Sequence, residues 1–238
     1  MNYIDRVQQL LSSINNLERE NMSKAVHIIS ATIQKGGIVQ LFGSGHSQLL
    51  AQESFYRAGG LVPVKPISIE PLMLHNGAVS SSQNEKDASR MEEYWAQIDL
   101  NQNDVLIVIS TSGRNYVPVD VAKRAKDMGI KVITLQSLEY SDQKSNHRTG
   151  NRLEYYADVI LNTRVPIGDG IIQNDGLQYG PVSTVVGATI LNHVFAEAIQ
   201  HLQQENQDVP VFGSSNVEGK GSSNEYWIEK YKNRINFN

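Results

Sequence analysis

The sequence predicts an α/β domain built around a parallel sheet. Short apolar runs alternate with segments of helical periodicity along most of the chain, which is the pattern of successive strand–helix–strand units. Runs such as DVLIVIS (104–110) are apolar without interruption, as expected for strands that helices cover on both faces. Because crossovers are right-handed, few topologies remain. We expect five strands in the order 2-1-3-4-5, flanked by helices and preceded by a helical arm.

The first third of the chain contains the arm and two strands. Apolar residues at intervals of three and four predict two helices over 3–35, which Gly36 and Gly37 end. GIVQLFG then forms the first strand, 46–58 a helix, and LVPVKPIS the second strand. A further helix is expected where Ser82 and Glu85 have the spacing of a capping box. Its apolar face consists of Ala88, Met91, Trp95 and Ile98.

The remaining elements follow the third strand at 104–110. Pro118 in the first turn and Gly129 at the end delimit a helix. IKVITLQ is the fourth strand, and ADVILNT the fifth, reached across a polar loop at 138–156. A glycine-rich loop at 166–180 then leads into a long final helix, VSTVVGATILNHVFAEAIQHLQQ.

These elements group into three segments. Residues 1–36 form the helical arm, 37–205 the sheet domain, and 206–238 a tail with a Gly/Ser-rich segment. We expect the tail to cover a pocket or to pack in an interface between copies of the chain.

The composition limits the possible partners. A net charge of −4 and a pI near 5.9 argue against a nucleic-acid or membrane surface as the main partner. The N-terminus has no apolar core of the signal-peptide kind, and no run reaches the roughly 20 apolar residues of a membrane helix. The chain has no cysteine, which fits a reducing compartment. We therefore expect a cytoplasmic protein.

Two polar loops follow neighbouring strands of the predicted sheet. GSGHS follows strand 1 and STSGR follows strand 3. In the order 2-1-3-4-5 the crossover helices after these strands lie on opposite faces, so the loops meet at the topological switch point, where open α/β sheets bind ligands. Hydroxyls and backbone N–H groups at helix N-termini favour an anion such as a phosphate. The alternative is that both loops only build turns and N-caps.

The first loop does not match a dinucleotide fingerprint. Gly43 and Gly45 fit G-x-G-x-x-G, but Gln48 replaces the third glycine. The second strand ends in KPIS where an acidic residue would bind the ribose. No P-loop and no G-x-S-x-G elbow is present. The loops thus indicate a small phosphorylated molecule, and a dinucleotide-dependent oxidoreductase is disfavoured. We expect no cofactor and propose no metal site.

Both loops and their flanks resemble the signature segments of the SIS (sugar isomerase) domain family. The resemblance rests on GSGHSQLLAQESFYRAGG, VLIVISTSGRNYVPVDVAKRAKDMGIKVITL, ADVILN and PVSTVVGATILNHVFAEAI, and it covers roughly 35–205. It implies a flavodoxin-like core, dimers or tetramers, and a phosphosugar at the strand ends. The residues that it places against the phosphosugar are Ser44, Gly45, His46, Ser47, Ser110, Thr111, Ser112 and Gly113. The family commonly has Thr or Asn and then an acid after Ser-Gly. Here Arg114 follows, which could reach the phosphate or face solvent.

Aldose–ketose isomerisation requires a base near the reacting carbon. His193 stands where phosphoheptose isomerases carry a catalytic histidine, which often acts on a neighbouring subunit. Glu53 lies about one turn before the position of their catalytic glutamate. Glu70 and His75 follow strand 2, at the ligand edge of the sheet. For each of the four, a structural or solvated side chain is the alternative. His147, Arg148 and Arg152 in KSNHRTGNR could clamp an anionic group or belong to a flexible polar loop.

These observations predict a sugar-phosphate isomerase or epimerase of carbohydrate or amino-sugar metabolism, with an enediol mechanism. The alternatives are a non-catalytic phosphosugar sensor and a phosphosugar lyase or etherase. The expected partners are a phosphorylated sugar and further copies of the chain, as a dimer or tetramer. Residues 1–36 are too short, and not basic enough, for a helix-turn-helix domain.

Overall fold

The computed structural model confirms the predicted sheet. It describes residues 2–205, 208–217, 219, 221 and 223–238. The five parallel strands are β1 (Val39–Gly43), β2 (Val64–Ile67), β3 (Val105–Ile109), β4 (Lys131–Gln136) and β5 (Val159–Asn162). Their spatial order is β2-β1-β3-β4-β5.

Helices flank this sheet on both faces. The α-helices of the described residues are α1 (Tyr3–Leu17), α2 (Arg19–Gln34), α3 (His46–Glu53), α4 (Ala78–Asn84), α5 (Met91–Trp95), α6 (Tyr116–Asp127), α7 (Ser183–Gln204) and α8 (Asn224–Tyr231). Side chains alternate across each strand, so Leu41 of β1 packs with α1, α2, α3 and α7, while Phe42 packs with α5 and α6. The core on the Leu41 face of the sheet therefore includes the N-terminal arm. Glu18 of the arm forms an ion pair of 2.7 Å with Arg164, which follows β5. No helix in the described part of the chain is long and apolar enough to cross a membrane.

Two predicted elements are wrong. Ser82 and Glu85 do not open a helix, because Ser82 lies inside α4 and Glu85 is the residue that ends it. The segment at 166–180 is not a plain loop, since it contains β6 (Gly170–Asn174), which pairs antiparallel with β7 (Leu177–Pro181). Asp175 and Gly176 connect these strands with φ values of 49° and 80°, the conformation of a type I′ hairpin turn.

The tail packs at the amino ends of the strands. Phe212, Trp227, Tyr231 and Ile235 are buried against Ile38 and Val62, and Arg234 forms a 2.8 Å ion pair with Asp104, just before β3. Glu218 and Lys220, in the Gly/Ser-rich segment, lie outside the described residues. The described tail residues thus lie at the end of the sheet opposite the two polar loops.

Candidate functional site

A cleft of about 340 Å³ lies at the carboxyl ends of β1 and β3. Gly43 and Ile109 are partners in the sheet, so the residues that follow them, Ser44 and Ser110, stand side by side. The lining residues are Ser44, Gly45, His46, Ser47, Leu74, Ala78, Ser81, Ser82, Glu85, Ser110, Thr111, Ser112, Asn115, Tyr140 and Asp169. Both predicted loops thus contribute to one cleft.

The first loop is a tight turn into α3. Gly45 has a φ of 56°, a conformation that glycine adopts without steric cost, and its N–H donates to the Leu72 carbonyl over 2.8 Å. Gln48, in the position of the missing glycine, is 3% exposed. Its side-chain amide lies 3.1 Å from the Gly43 carbonyl and 3.2 Å from the Ile67 carbonyl. Gln48 therefore ties the end of β1 to the end of β2.

The second loop leaves several polar groups facing the cleft. The Gly113 N–H donates to the Ser110 carbonyl over 3.1 Å, and the Ser110 N–H donates to the Leu135 carbonyl over 3.0 Å. Within the described residues, the N–H groups and hydroxyls of Thr111 and Ser112 have no acceptor or donor in the chain. An oxyanion in the cleft would satisfy them.

The polar segment 141–152 and the residue that follows it contact the second loop and hold it in place. Arg152 donates to the Ser112 carbonyl over 2.7 Å, and the Leu153 N–H donates to the Gly113 carbonyl over 2.9 Å. The Nε2 of His147 lies 2.9 Å from the buried Asp120 carboxylate of α6. The segment thus holds the second loop in place, while an anion clamp by its arginines stays a prediction.

Arg114 is directed into this supporting segment. Its guanidinium donates to Gln143 over 3.1 Å and to Asn146 over 3.2 Å. Arg114 is not among the residues that line the cleft. Its contact with a phosphate therefore stays a prediction.

Glu85 spans the two loops. Its Oε2 accepts a hydrogen bond from the Ser44 hydroxyl of the first loop, and its Oε1 accepts one of 2.6 Å from the Asn115 amide at the start of α6. Burial raises the pKa of Glu85 above its usual range, against the lowering effect of both hydrogen bonds and of Lys86. Sequence reasoning missed this residue because its spacing from Ser82 resembled a capping box. Its place in the segment that follows β2, which also contains Glu70, was the available signal.

The second carboxylate of the cleft, that of Asp169, already accepts three hydrogen bonds within the chain. Asp169 accepts hydrogen bonds from the Ser183 N–H (2.7 Å), the Ser183 hydroxyl (2.9 Å) and the Val182 N–H (3.1 Å), and so caps α7. Among the described residues, the lining of the cleft includes no lysine or arginine, and His46 is its one basic group. A bound anion would thus depend on hydroxyls and backbone N–H groups.

The four catalytic residues predicted from the sequence lie outside this cleft. Glu53 contacts Arg57 and the Asn192 amide. Glu70 and His75 do meet, with 3.4 Å between carboxylate and ring, but both are exposed. His193 lies in a groove of about 420 Å³ along α2 and α7. Their catalytic roles stay predictions.

Comparisons with known proteins add two findings. A family model described as SIS domain matches residues 2–137. Among curated relatives, the "UPF0309 protein in nagA 3'region" of Lysinibacillus sphaericus is 48% identical over 235 residues, which cover 99% of this chain and 97% of that protein. A UPF0309 protein of Listeria innocua is 43% identical over 237 residues, covering 98% and 96%.

Solved structures share the fold at low identity. A phosphoheptose isomerase from Francisella tularensis has a TM-score of 0.55 and 18% identity, covering 83% of this chain and 95% of that one. The Vibrio vulnificus NanR protein complexed with ManNAc-6P has a TM-score of 0.53 and 15% identity, covering 86% and 63%. At these identities the likeness is one of fold.

Proposed function

The chain belongs to the SIS domain family, and on this premise we propose that it binds a phosphorylated sugar in the cleft and interconverts its aldose and ketose forms. The observation that carries the proposal is the convergence of two serine loops on one cleft at the switch point of the sheet. Proteins of the same fold include a phosphoheptose isomerase and a protein complexed with ManNAc-6P, which motivates this ligand class.

The second loop is the proposed phosphate site. Thr111 and Ser112 present hydroxyls and N–H groups that the described chain leaves without partners, and they precede α6, whose N-terminus carries a partial positive charge. Hydrogen bonds from neutral donors suit a phosphate ester without a formal cation. The sugar would then extend across Glu85 toward Ser44 and His46 of the first loop.

A thermal-shift panel tests the ligand class. Hexose, amino-hexose, N-acetylhexosamine, muramic and heptose phosphates are each compared with the unphosphorylated parent. Ligand at 100 times its Kd adds about 2.7 kcal/mol, which for a chain of this length raises the melting temperature by roughly 5–10 °C. We expect shifts only among the phosphates.

Matched variants locate the binding site. Ser110→Ala combined with Ser112→Ala removes two cleft hydroxyls and is expected to abolish the shift. Ser12→Ala, on the exposed face of α1, is the control and should leave the shift unchanged. If no phosphorylated sugar shifts the wild-type protein, the loops are structural turns and the proposal fails. Binding without any turnover would support a sensor instead of an isomerase.

We propose that His193 acts in this cleft from another copy of the chain. It lies ten residues after Ser183, roughly 15 Å along α7, and Ser183 is the residue that contacts Asp169 at the cleft. We therefore propose a homo-oligomer in which His193 reaches a neighbouring cleft. Sedimentation measures the oligomeric state, and an exclusively monomeric protein that is fully active would contradict this arrangement.

A further inference from the structure

The position of Glu85 in the cleft supports a catalytic role for its carboxylate, and this role rests on the proposed function. Its carboxylate lies in the cleft between the first loop and the start of α6, held by Ser44 on one oxygen and by Asn115 on the other. We propose that Glu85 is the group that moves the proton between adjacent carbons of the bound phosphosugar.

Comparison of the carboxylates supports this choice. Among the described residues that line the cleft, Glu85 and Asp169 are the two carboxylates. Asp169 is occupied by three donors at the start of α7, so moving a proton through it would uncap the helix. Glu53 and Glu70 contact other residues outside the cleft. Glu85 alone combines a position between both loops with donors that orient it.

The environment of Glu85 suits a base. A general base is most effective when its pKa lies near the operating pH, and burial shifts the pKa of Glu85 upward, in that direction. The two hydrogen bonds fix the carboxylate, which limits the reorganisation needed during proton transfer. Ser44 and Asn115 would therefore act as positioning residues for it.

The proposed step is balanced without a cofactor. The Glu85 carboxylate takes the proton from the carbon next to the carbonyl, whose C–H electron pair forms the double bond of an enediolate. The proton on the neutral carboxyl exchanges with solvent, and the carboxyl then gives a proton to the former carbonyl carbon. The hydroxyl proton passes from one sugar oxygen to the other. The product is the isomeric sugar phosphate, and the carboxylate is regenerated.

Proton exchange in heavy water tests this role directly. A phosphosugar that shifts the melting temperature is incubated with protein in D2O, and deuterium at the carbon is followed by proton NMR. Glu85→Gln keeps both hydrogen bonds, because the Ser44 hydroxyl can accept from the new amide. We expect it to retain the thermal shift while exchange falls at least about 100-fold, the scale of general acid–base catalysis. Glu93→Gln, a 54% exposed side chain on α5, is the control and should exchange at the wild-type rate.

The outcomes separate this role from the function itself. Exchange by Glu85→Gln at the wild-type rate overturns the role of Glu85 and leaves phosphosugar turnover standing. A wild-type protein that binds a phosphosugar but neither exchanges a proton nor forms the isomer overturns the role as well. Failure of every phosphosugar to bind the wild type removes the proposed function instead. If Glu85→Gln loses binding, the same measurements are made on Glu85→Asp. A Glu85→Asp variant that binds the phosphosugar but exchanges protons slowly supports the role. One that exchanges at the wild-type rate overturns it.

Discussion

Replacement of Gly113 by alanine tests how the second loop is built. Gly113 has a φ of 59°, and a Cβ there would lie 2.4 Å from the Gln136 Oε1. Gln136 is fully buried and donates to Glu154 over 3.3 Å, so it cannot swing away at low cost. A matched control is Gly150→Ala, because Gly150 has a φ of 76° with nothing within 4 Å of its Cβ position.

The two variants separate backbone strain from crowding. The left-handed conformation costs a non-glycine residue roughly 1–2 kcal/mol, and both variants incur this cost. Gly113→Ala also forces an atom into a packed site, at about 1–3 kcal/mol. We therefore expect a loss of about 2–5 kcal/mol for Gly113→Ala and about 1–2 kcal/mol for Gly150→Ala.

Urea denaturation followed by circular dichroism measures both losses, with equal m-values as the condition for comparing them. Because Gly113 adjoins Ser112, we also expect Gly113→Ala to weaken the phosphosugar-induced thermal shift, while Gly150→Ala keeps it. Equal destabilisation of the two variants would refute the close packing of Gly113 against Gln136. An unchanged thermal shift in Gly113→Ala would refute the involvement of this loop in ligand binding.

Three further predictions concern the tail and Glu85. Trp227→Ala removes a side chain that is 4% exposed and should lower the free energy of unfolding by about 3–5 kcal/mol. A loss under about 1 kcal/mol in urea denaturation would mean that the tail does not contribute to the core. Arg234→Ala removes one charged donor from the buried Asp104, which keeps its backbone donors. The free energy of unfolding should therefore fall by about 1–3 kcal/mol. Lys232→Ala, which changes an exposed side chain on the same segment, is the control. Glu85→Gln should have a higher melting temperature than the wild type at pH 7, because a folded-state pKa raised above 4.5 means that the stability contributed by protonated Glu85 is lost as the pH rises. This difference in melting temperature should vanish below pH 4.5. A melting temperature below that of the wild type at pH 7 would contradict the burial of this carboxylate.

Local patterns were sufficient for the sheet. The clearest strand is β3, a short apolar run with the sequence VLIVI. Its burial on both faces leaves no polar alternation to confuse it with a surface strand. Right-handed crossovers leave few possible orders, and the expected order β2-β1-β3-β4-β5 is confirmed. The positions of the two loops were predictable too, because Ser44 and Ser110 come directly after strands.

Elements made of polar residues were predicted less well. The sequence predicts a loop where β6 and β7 form a hairpin, although Asp175-Gly176 is a typical type I′ turn sequence. Its strands lie at the edge of the molecule, where side chains are partly exposed and no apolar run marks them. The sequence predicts that the tail covers a pocket or packs in an interface. Its packing at the amino ends of the strands was not predictable, because its few large side chains become a core only against Ile38 and Val62.

The sequence by itself determined the α/β sheet, its strand order and the two serine loops, because each depends on residues that are neighbours along the chain. Only the tertiary structure decided which carboxylate belongs to the cleft. Glu53, Glu70 and Glu85 all follow the first two strands, and nothing in their local spacing distinguishes them. Glu85 meets Ser44 across 41 residues and Asn115 across 30, because α4 packs over the strand ends, and contacts of that range arise from packing alone.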